Sequence, residues 1–159
     1  MSEKGKIRVG ITQGDINGIG YEIIFKTFEN PEMFDICTPI VYGSPKAAAY
    51  HRKALEMETP YNAIENAGEA QAGKLNIINC NSDELHIELG TSTPESGLAA
   101  FQALERAIKD YHEGLIDVLV TAPINKSAIA KTTATILAIP TINLIFSCCF
   151  IYSAINLNN

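Results

Sequence analysis

Two short stretches of this 159-residue chain concentrate the residues that could hold a ligand. The first, "GITQGDINGIGYE" at residues 10–22, sets Gly14, Asp15, Asn17 and Gly18 between an apolar run and the start of a helix. Small residues ahead of a helix N-terminus let backbone N–H groups approach a ligand, and the helix dipole favours negative charge there. Asp15 opposes an anion at close range, so it suits a hydroxyl or an amine, or a capping role. The second stretch, "TAPINK" at residues 121–126, offers Thr121 and Asn125 as hydrogen-bonding groups and Lys126 as a mobile point charge for a phosphate. A plain structural reading stands beside each. Gly14, Asp15, Asn17 and Gly18 are types that make positive-φ turns cheaply, and a lysine after a strand is commonly solvated. The glycines at 14, 18 and 20 follow G-x-x-x-G-x-G, which is neither the dinucleotide fingerprint nor the phosphate-loop pattern. No residue is assigned as a catalytic acid, base or nucleophile.

The elements that must position these loops alternate. "KIRVGIT" (6–12) reads as a strand, and "YEIIFKTFEN" as a helix with Ile23, Ile24, Thr27 and Phe28 on one face. "CTPIVYG" (37–43) reads as a buried strand, followed by a helix over 44–57 with Ser44 as N-cap and Pro45 at its first position. Residues 60–74 lack a period and read as loop with a short helix, while "LNIINC" (75–80) and "LHIEL" (85–89) are strand candidates. The clearest helix runs from Pro94 to Glu113. Leu98, Phe101, Leu104, Ile108 and Tyr111 form its apolar face, Thr93 its cap, Glu105 and Lys109 a pair, and Gly114 its left-handed stop. "LIDVLVTAP" then reads as a parallel strand covered on both faces, and "INKSAIAK" as the start of a further helix or loop. Such alternation predicts an α/β fold with a mostly parallel sheet and flanking helices. Both loops then fall at carboxyl ends of parallel strands, where ligands collect in open α/β sheets.

Composition narrows the function classes. A net charge of −6 and 47% hydrophobic residues describe an ordinary soluble domain and argue against a nucleic-acid groove. Cys37, Cys80, Cys148 and Cys149 form no C-x-x-C pair, which predicts reduced thiols in a cytoplasm. The N-terminus has no apolar run of export-signal length.

"RVGITQGDINGIGYEI" together with "GLIDVLVTAPINK" resembles the PdxA family, the 4-hydroxythreonine-4-phosphate dehydrogenases of pyridoxal phosphate biosynthesis. The family's first loop reads close to GDPxGIGPE, and Ile16 and Tyr21 stand here where it has prolines; Val120 to Lys126 match its second motif, V-T-x-P-[IV]-x-K. The resemblance covers residues 5 to about 130. It implies an isocitrate/isopropylmalate dehydrogenase-like fold, incomplete here. It also implies NAD-dependent oxidation and decarboxylation of a phosphorylated hydroxy amino acid, a divalent metal and a homodimer. Gly14, Asp15, Asn17, Gly18, Thr121, Asn125 and Lys126 become expected substrate-binding residues.

The chain then departs from the family. The P-G-H-T-E segment that follows the second motif is missing, and His51, His86 and His112, on predicted surface helices or a strand, match none of the family's metal ligands, so they are expected to be solvated or locally paired side chains. Residues 1–130 read as the N-terminal α/β portion and 131–159 as an apolar tail in which Lys131 is the last charge. Three accounts stand: a membrane anchor over Ala134 to Ile155, a buried core segment, or translation in a shifted frame, which the richness in Ile, Asn, Phe and Tyr favours. A tail-anchored or interaction module without activity is the alternative function, and a membrane the weaker partner expectation. The 159-residue chain alone is expected to lack turnover.

Overall fold

A computed structural model describes residues 5–82 and 84–136. Its strands are β1 (Ile7–Thr12), β2 (Cys37–Gly43), β3 (Tyr61–Ile64), β4 (Leu75–Asn79) and β5 (Val118–Thr121). Its helices are α1 (Gly20–Phe28), α2 (Met33–Ile36), α3 (Pro45–Ala54), α4 (Pro94–His112) and α5 (Lys126–Ile136), with a 3-10 turn at Ala67–Glu69. All strand pairs are parallel and the sheet order is β3-β4-β2-β1-β5. The α/β fold with a parallel sheet is therefore as the alternation predicts.

Side chains alternate between two cores across this sheet. One face carries Ile11, Val41 and Ile77 under α1 and α3, with Tyr21, Phe25 and Ala48. The other carries Ile40, Tyr42 and Ile78 beneath Ala103 and Ala107 of α4, with Ile116. β2 is buried along its whole length, as a central parallel strand should be. Ser44 caps α3 by accepting from Ala47 N, with Pro45 at the first turn. Thr93 and Ser96 form a reciprocal capping box on α4, and Gly114 ends that helix at φ 71°.

Several expectations are corrected. Residues 61–64, read as loop, form the edge strand β3; "YNAI" is too short and too polar to show a period. Residues 85–89, read as a strand, make no strand pairing. Leu85 and Ile87 pack on the α1-side core, while His86 N donates to Glu95 and Glu88 N to Asn17, so side chains satisfy the backbone that a neighbouring strand would otherwise serve. On α4 the buried stripe is Ser96, Gly97, Ala99, Ala100, Ala103 and Ala107, while Leu98 and Tyr111 are exposed. Close approach to the sheet and to α5 selects the small residues: a Cβ on Gly97 would collide with the Ala128 carbonyl. Lys109 pairs with Glu113 at 4.0 Å, in place of the expected Glu105. On α1, Tyr21, Ile24, Phe25 and Phe28 are buried, whereas Ile23 and Thr27 are exposed. Among the described residues β5 is an edge strand with Val118 and Val120 exposed, so they do not cover it on both faces. His51 is not on the surface: it is 4% exposed, and its Nε2 lies 2.7 Å from the Ile16 carbonyl.

α5 runs through residue 131, so the break in composition falls inside a helix. Ala128 and Thr132 meet Gly97 and Pro94, placing α5 antiparallel to the first turns of α4. No helix among the described residues is long and apolar enough to cross a membrane. The rest of the tail, residues 137–159, and with it most of the expected anchor, lies outside the described residues.

Candidate functional site: two loops at the carboxyl ends of β1 and β5

β1 lies between β2 and β5, so the loops that follow β1 and β5 leave the sheet side by side. Ala122 N donates to Thr12 O at 3.2 Å and Asp15 N to Pro123 O at 3.0 Å, tying the loops backbone to backbone. Gly14 makes this possible. It has φ +69°, and a Cβ there would strike the Pro123 carbonyl oxygen. Of the four residues that could have adopted positive φ cheaply, only Gly14 does so.

The remaining expected site residues divide by what their side chains already do. Asp15 is buried and one carboxylate oxygen accepts from Asn17 N at 3.0 Å, which closes an Asx turn within the loop. It does not cap α1, whose N-cap is Ile19 with no side-chain cap. Asn17 is committed outward. Its amide donates to Thr91 O at 2.9 Å and to Thr93 Oγ1 at 3.4 Å, its side-chain oxygen accepts from Glu88 N at 2.8 Å, and its carbonyl accepts from Gly90 N. Asn17 therefore straps residues 88–93 against the loop. Asn125 caps α5, accepting from Ala128 N at 3.1 Å. Thr121 and Lys126 are exposed at the carboxyl end of β5 and in the first turn of α5, and Gly18 is half-buried.

Beneath the loop lies a buried polar network that no sequence spacing announces. Gln13, fully buried, accepts through Oε1 from Tyr21 Oη at 2.8 Å and from Ser44 N at 2.9 Å, and donates to Asn81 Oδ1 at 2.7 Å. Asn81 donates in turn to Ala99 O and Gln102 Oε1, so β1, β2, β4, α1 and α4 are joined under one glycine turn. Tyr21, standing where the family pattern has proline, stacks between Phe25 and His51, and burial holds its hydroxyl protonated far above the usual range. Ile16, at the other proline position, is fully buried in the α1-side core. The only available sign of Gln13 in the sequence is an amide wedged between an apolar strand and a glycine, which is a weak signal.

No three His, Cys, Asp or Glu side chains gather to hold a metal ion among the described residues. These residues therefore do not fit the divalent metal that the resemblance implies.

A profile of the family described as "Pyridoxal phosphate biosynthetic protein PdxA" matches residues 35–138, well over half of the chain. The chain belongs to this family. Against the 4-hydroxythreonine-4-phosphate dehydrogenase of Bacteroides thetaiotaomicron, this PdxA chain is 58% identical over 127 residues, which are 80% of the chain and 35% of that relative. A relative from Oceanobacillus iheyensis, named provisionally as a D-threonate 4-phosphate dehydrogenase, is 35% identical over 77% of this chain and 38% of its own length. The crystal structure of a 4-hydroxythreonine-4-phosphate dehydrogenase from Burkholderia phymatum superposes with a TM-score of 0.71 at 31% identity, covering 79% of this PdxA chain and 38% of that one. The chain thus spans a little over a third of the length of the curated relatives it matches.

Proposed function

We propose that this chain supplies the N-terminal wall of the substrate crevice of a PdxA-type dehydrogenase, one that oxidises and decarboxylates 4-hydroxythreonine 4-phosphate in pyridoxal phosphate biosynthesis. The observation that carries the reading is the junction of its two family loops through the Asp15 N to Pro123 O bond at the carboxyl edge of adjacent strands. In the complete enzyme NAD would accept hydride and a divalent metal would polarise the reacting oxygen.

This chain's own residues would bind and orient the substrate. Lys126 and the positive end of α5 suit the phosphate, while the Asp15 carboxylate, one oxygen already held by the Asn17 amide, suits a hydroxyl or ammonium at the other end of the substrate. That division resolves the conflict of an acid beside an anion, because the two charges of the substrate fall on different loops. D-threonate 4-phosphate shares the phosphate and the hydroxyl but carries no ammonium, and the name of the second relative makes it the competing substrate.

The test is a titration of the 159-residue chain with 4-hydroxythreonine 4-phosphate, followed by amide NMR shifts. Shifts should concentrate at residues 14–18 and 121–126, and Lys126→Ala should weaken binding at least fivefold. Shifts confined to other regions would sink the assignment. With NAD and a divalent metal added, the chain should show no turnover; measurable NADH formation would show that it is catalytically complete.

A further inference from the structure

The peptide unit between Ile16 and Asn17 is held at both of its polar atoms. Its N–H donates to one carboxylate oxygen of Asp15 at 3.0 Å, and its carbonyl oxygen lies 2.7 Å from Nε2 of His51. A carbonyl oxygen only accepts, so Nε2 carries the proton and His51 is the donor. Imidazole, peptide and carboxylate thus form one chain of hydrogen bonds in which each bond polarises the next. The Asp15 N to Pro123 O bond and the side-chain bonds of Asn17 grip the residues on either side of this peptide. The His51 bond is what sets its plane.

The imidazole is itself fixed. It comes from α3, 35 positions further along the chain, and is 4% exposed. It stacks on the Tyr21 ring at 5.4 Å and 30°, and the Tyr50 ring stands across it at 5.7 Å and 84°. Tyr21 is anchored in turn by its hydroxyl, which donates to the buried Gln13. The family motif has proline at the position of Tyr21, so the stack that aims this imidazole is no part of that motif.

We propose that His51 is a positioning residue of the crevice, acting through the Ile16–Asn17 peptide. By fixing that plane it points the Asn17 N–H at one oxygen of Asp15 and presents the other oxygen to the hydroxyl or ammonium of the substrate. The inference rests on the substrate reading of Asp15 given above. His51 exchanges no proton with the ligand, and its part is geometric.

The test uses the full chain. Long-range 1H–15N correlation of the parent should find the ring proton on Nε2; a bare Nε2 would overturn the proposal before any ligand is added. His51→Phe keeps the burial and the stack but removes the donor, whereas His51→Gln can bring an amide N–H to the place of Nε2–H. Without ligand, hydrogen exchange at the Asn17 amide should quicken about tenfold in His51→Phe and return close to the parent rate in His51→Gln, while the amides of β2 keep their protection. In titrations with 4-hydroxythreonine 4-phosphate, His51→Phe should raise the Kd about fivefold to tenfold, the worth of one hydrogen bond, and His51→Gln less than about twofold. In an Asp15→Asn background His51→Phe should cost nothing further, because no carboxylate is left to aim. A histidine that only supports the fold would fail alike in both variants, and its effect on Kd would add to that of Asp15→Asn. Either result, or a His51→Phe chain that binds as the parent does, overturns the proposal. A parent that binds no 4-hydroxythreonine 4-phosphate overturns the substrate reading instead, and the positioning of the peptide by His51 then stands or falls on the Asn17 exchange alone.

Discussion

Replacing Gly14 by alanine tests whether the two loops form one unit. Two costs add at this position. A residue other than glycine held at φ +69° loses about 1–2 kcal/mol from backbone sterics. The new Cβ would also strike the Pro123 carbonyl oxygen, backbone that cannot swing aside as a side-chain tip can. Moving it breaks the Asp15 N to Pro123 O bond, and an unmade bond in this buried junction costs about 1–3 kcal/mol. The sum, about 2–5 kcal/mol, is a large share of the roughly 5–15 kcal/mol that holds a domain folded. With a urea slope of about 2 kcal/mol per molar, the unfolding midpoint should fall by about 1–2.5 M. Gly18→Ala is the matched control. Its φ is not positive and its Cβ would meet nothing nearer than Asp15 O at 3.4 Å, so it should be neutral or stabilising by up to about 1 kcal/mol. The measurement is urea unfolding by circular dichroism for parent and both variants. If Gly14→Ala shifts the midpoint by less than about 0.5 M, or no more than Gly18→Ala, then the loops are not locked together as described.

Two further outcomes follow from the same structure. Asn17→Ala removes the amide that holds Glu88 N, Thr91 O and Thr93 Oγ1, so stability should fall by about 1–3 kcal/mol. Hydrogen exchange at Glu88 should quicken at least tenfold while the body of α4, whose start Ser96 also secures, keeps its protection. In alkali, burial pushes the Cys80 thiol up to about 12, and burial raises the Cys37 thiol and the Tyr21 and Tyr42 hydroxyls too. These groups ionise first in the unfolded chain, so the unfolded state binds fewer protons. Stability is then complete below the ordinary thiol pKa of about 8.5 and declines as pH rises from there towards 12. Urea midpoints at pH 7.0 and 10 should show that decline, and an unchanged midpoint would refute the burial of these groups.

How far the sequence could be read depended on the range of the interactions involved. β1, β2 and β4 announce themselves because a buried parallel strand needs only a run of apolar residues, and the caps Ser44 and Thr93 act within three residues of themselves. α4 misled because hydrophobic pattern reports large side chains, while the sheet and α5 approach closely enough to demand Ala and Gly. "LHIEL" alternates like a strand, yet its backbone bonds go to Glu95 and Asn17, which nothing local reveals. The site divides in the same way. That the two candidate loops lie at strand ends could be read from their glycines and prolines. Their support could not, since Gln13 reaches Asn81 across 68 positions and Tyr21 reaches Ser44 across 23. His51 was misjudged for the same reason, as its partner Ile16 lies on another element.

The sheet order also sets a timetable for synthesis. β1 is the first strand made, yet one of its neighbours is β5, with Val9 opposite Val118 and Ile11 opposite Val120. Over a hundred residues must be translated before that side of β1 can close, about 5–20 s at ordinary ribosome speeds. During that interval the nascent chain holds "IRVGIT" with one row of backbone groups open, a stretch that a chaperone could bind or a neighbouring polysome could pair with. The Gly14 and Pro123 junction forms only after this closure. The junction of the two loops is therefore made after every strand of the described structure, with only α5 still to follow, and a pause or cleavage shortly before residue 118 would yield a chain with most of its core and without that junction.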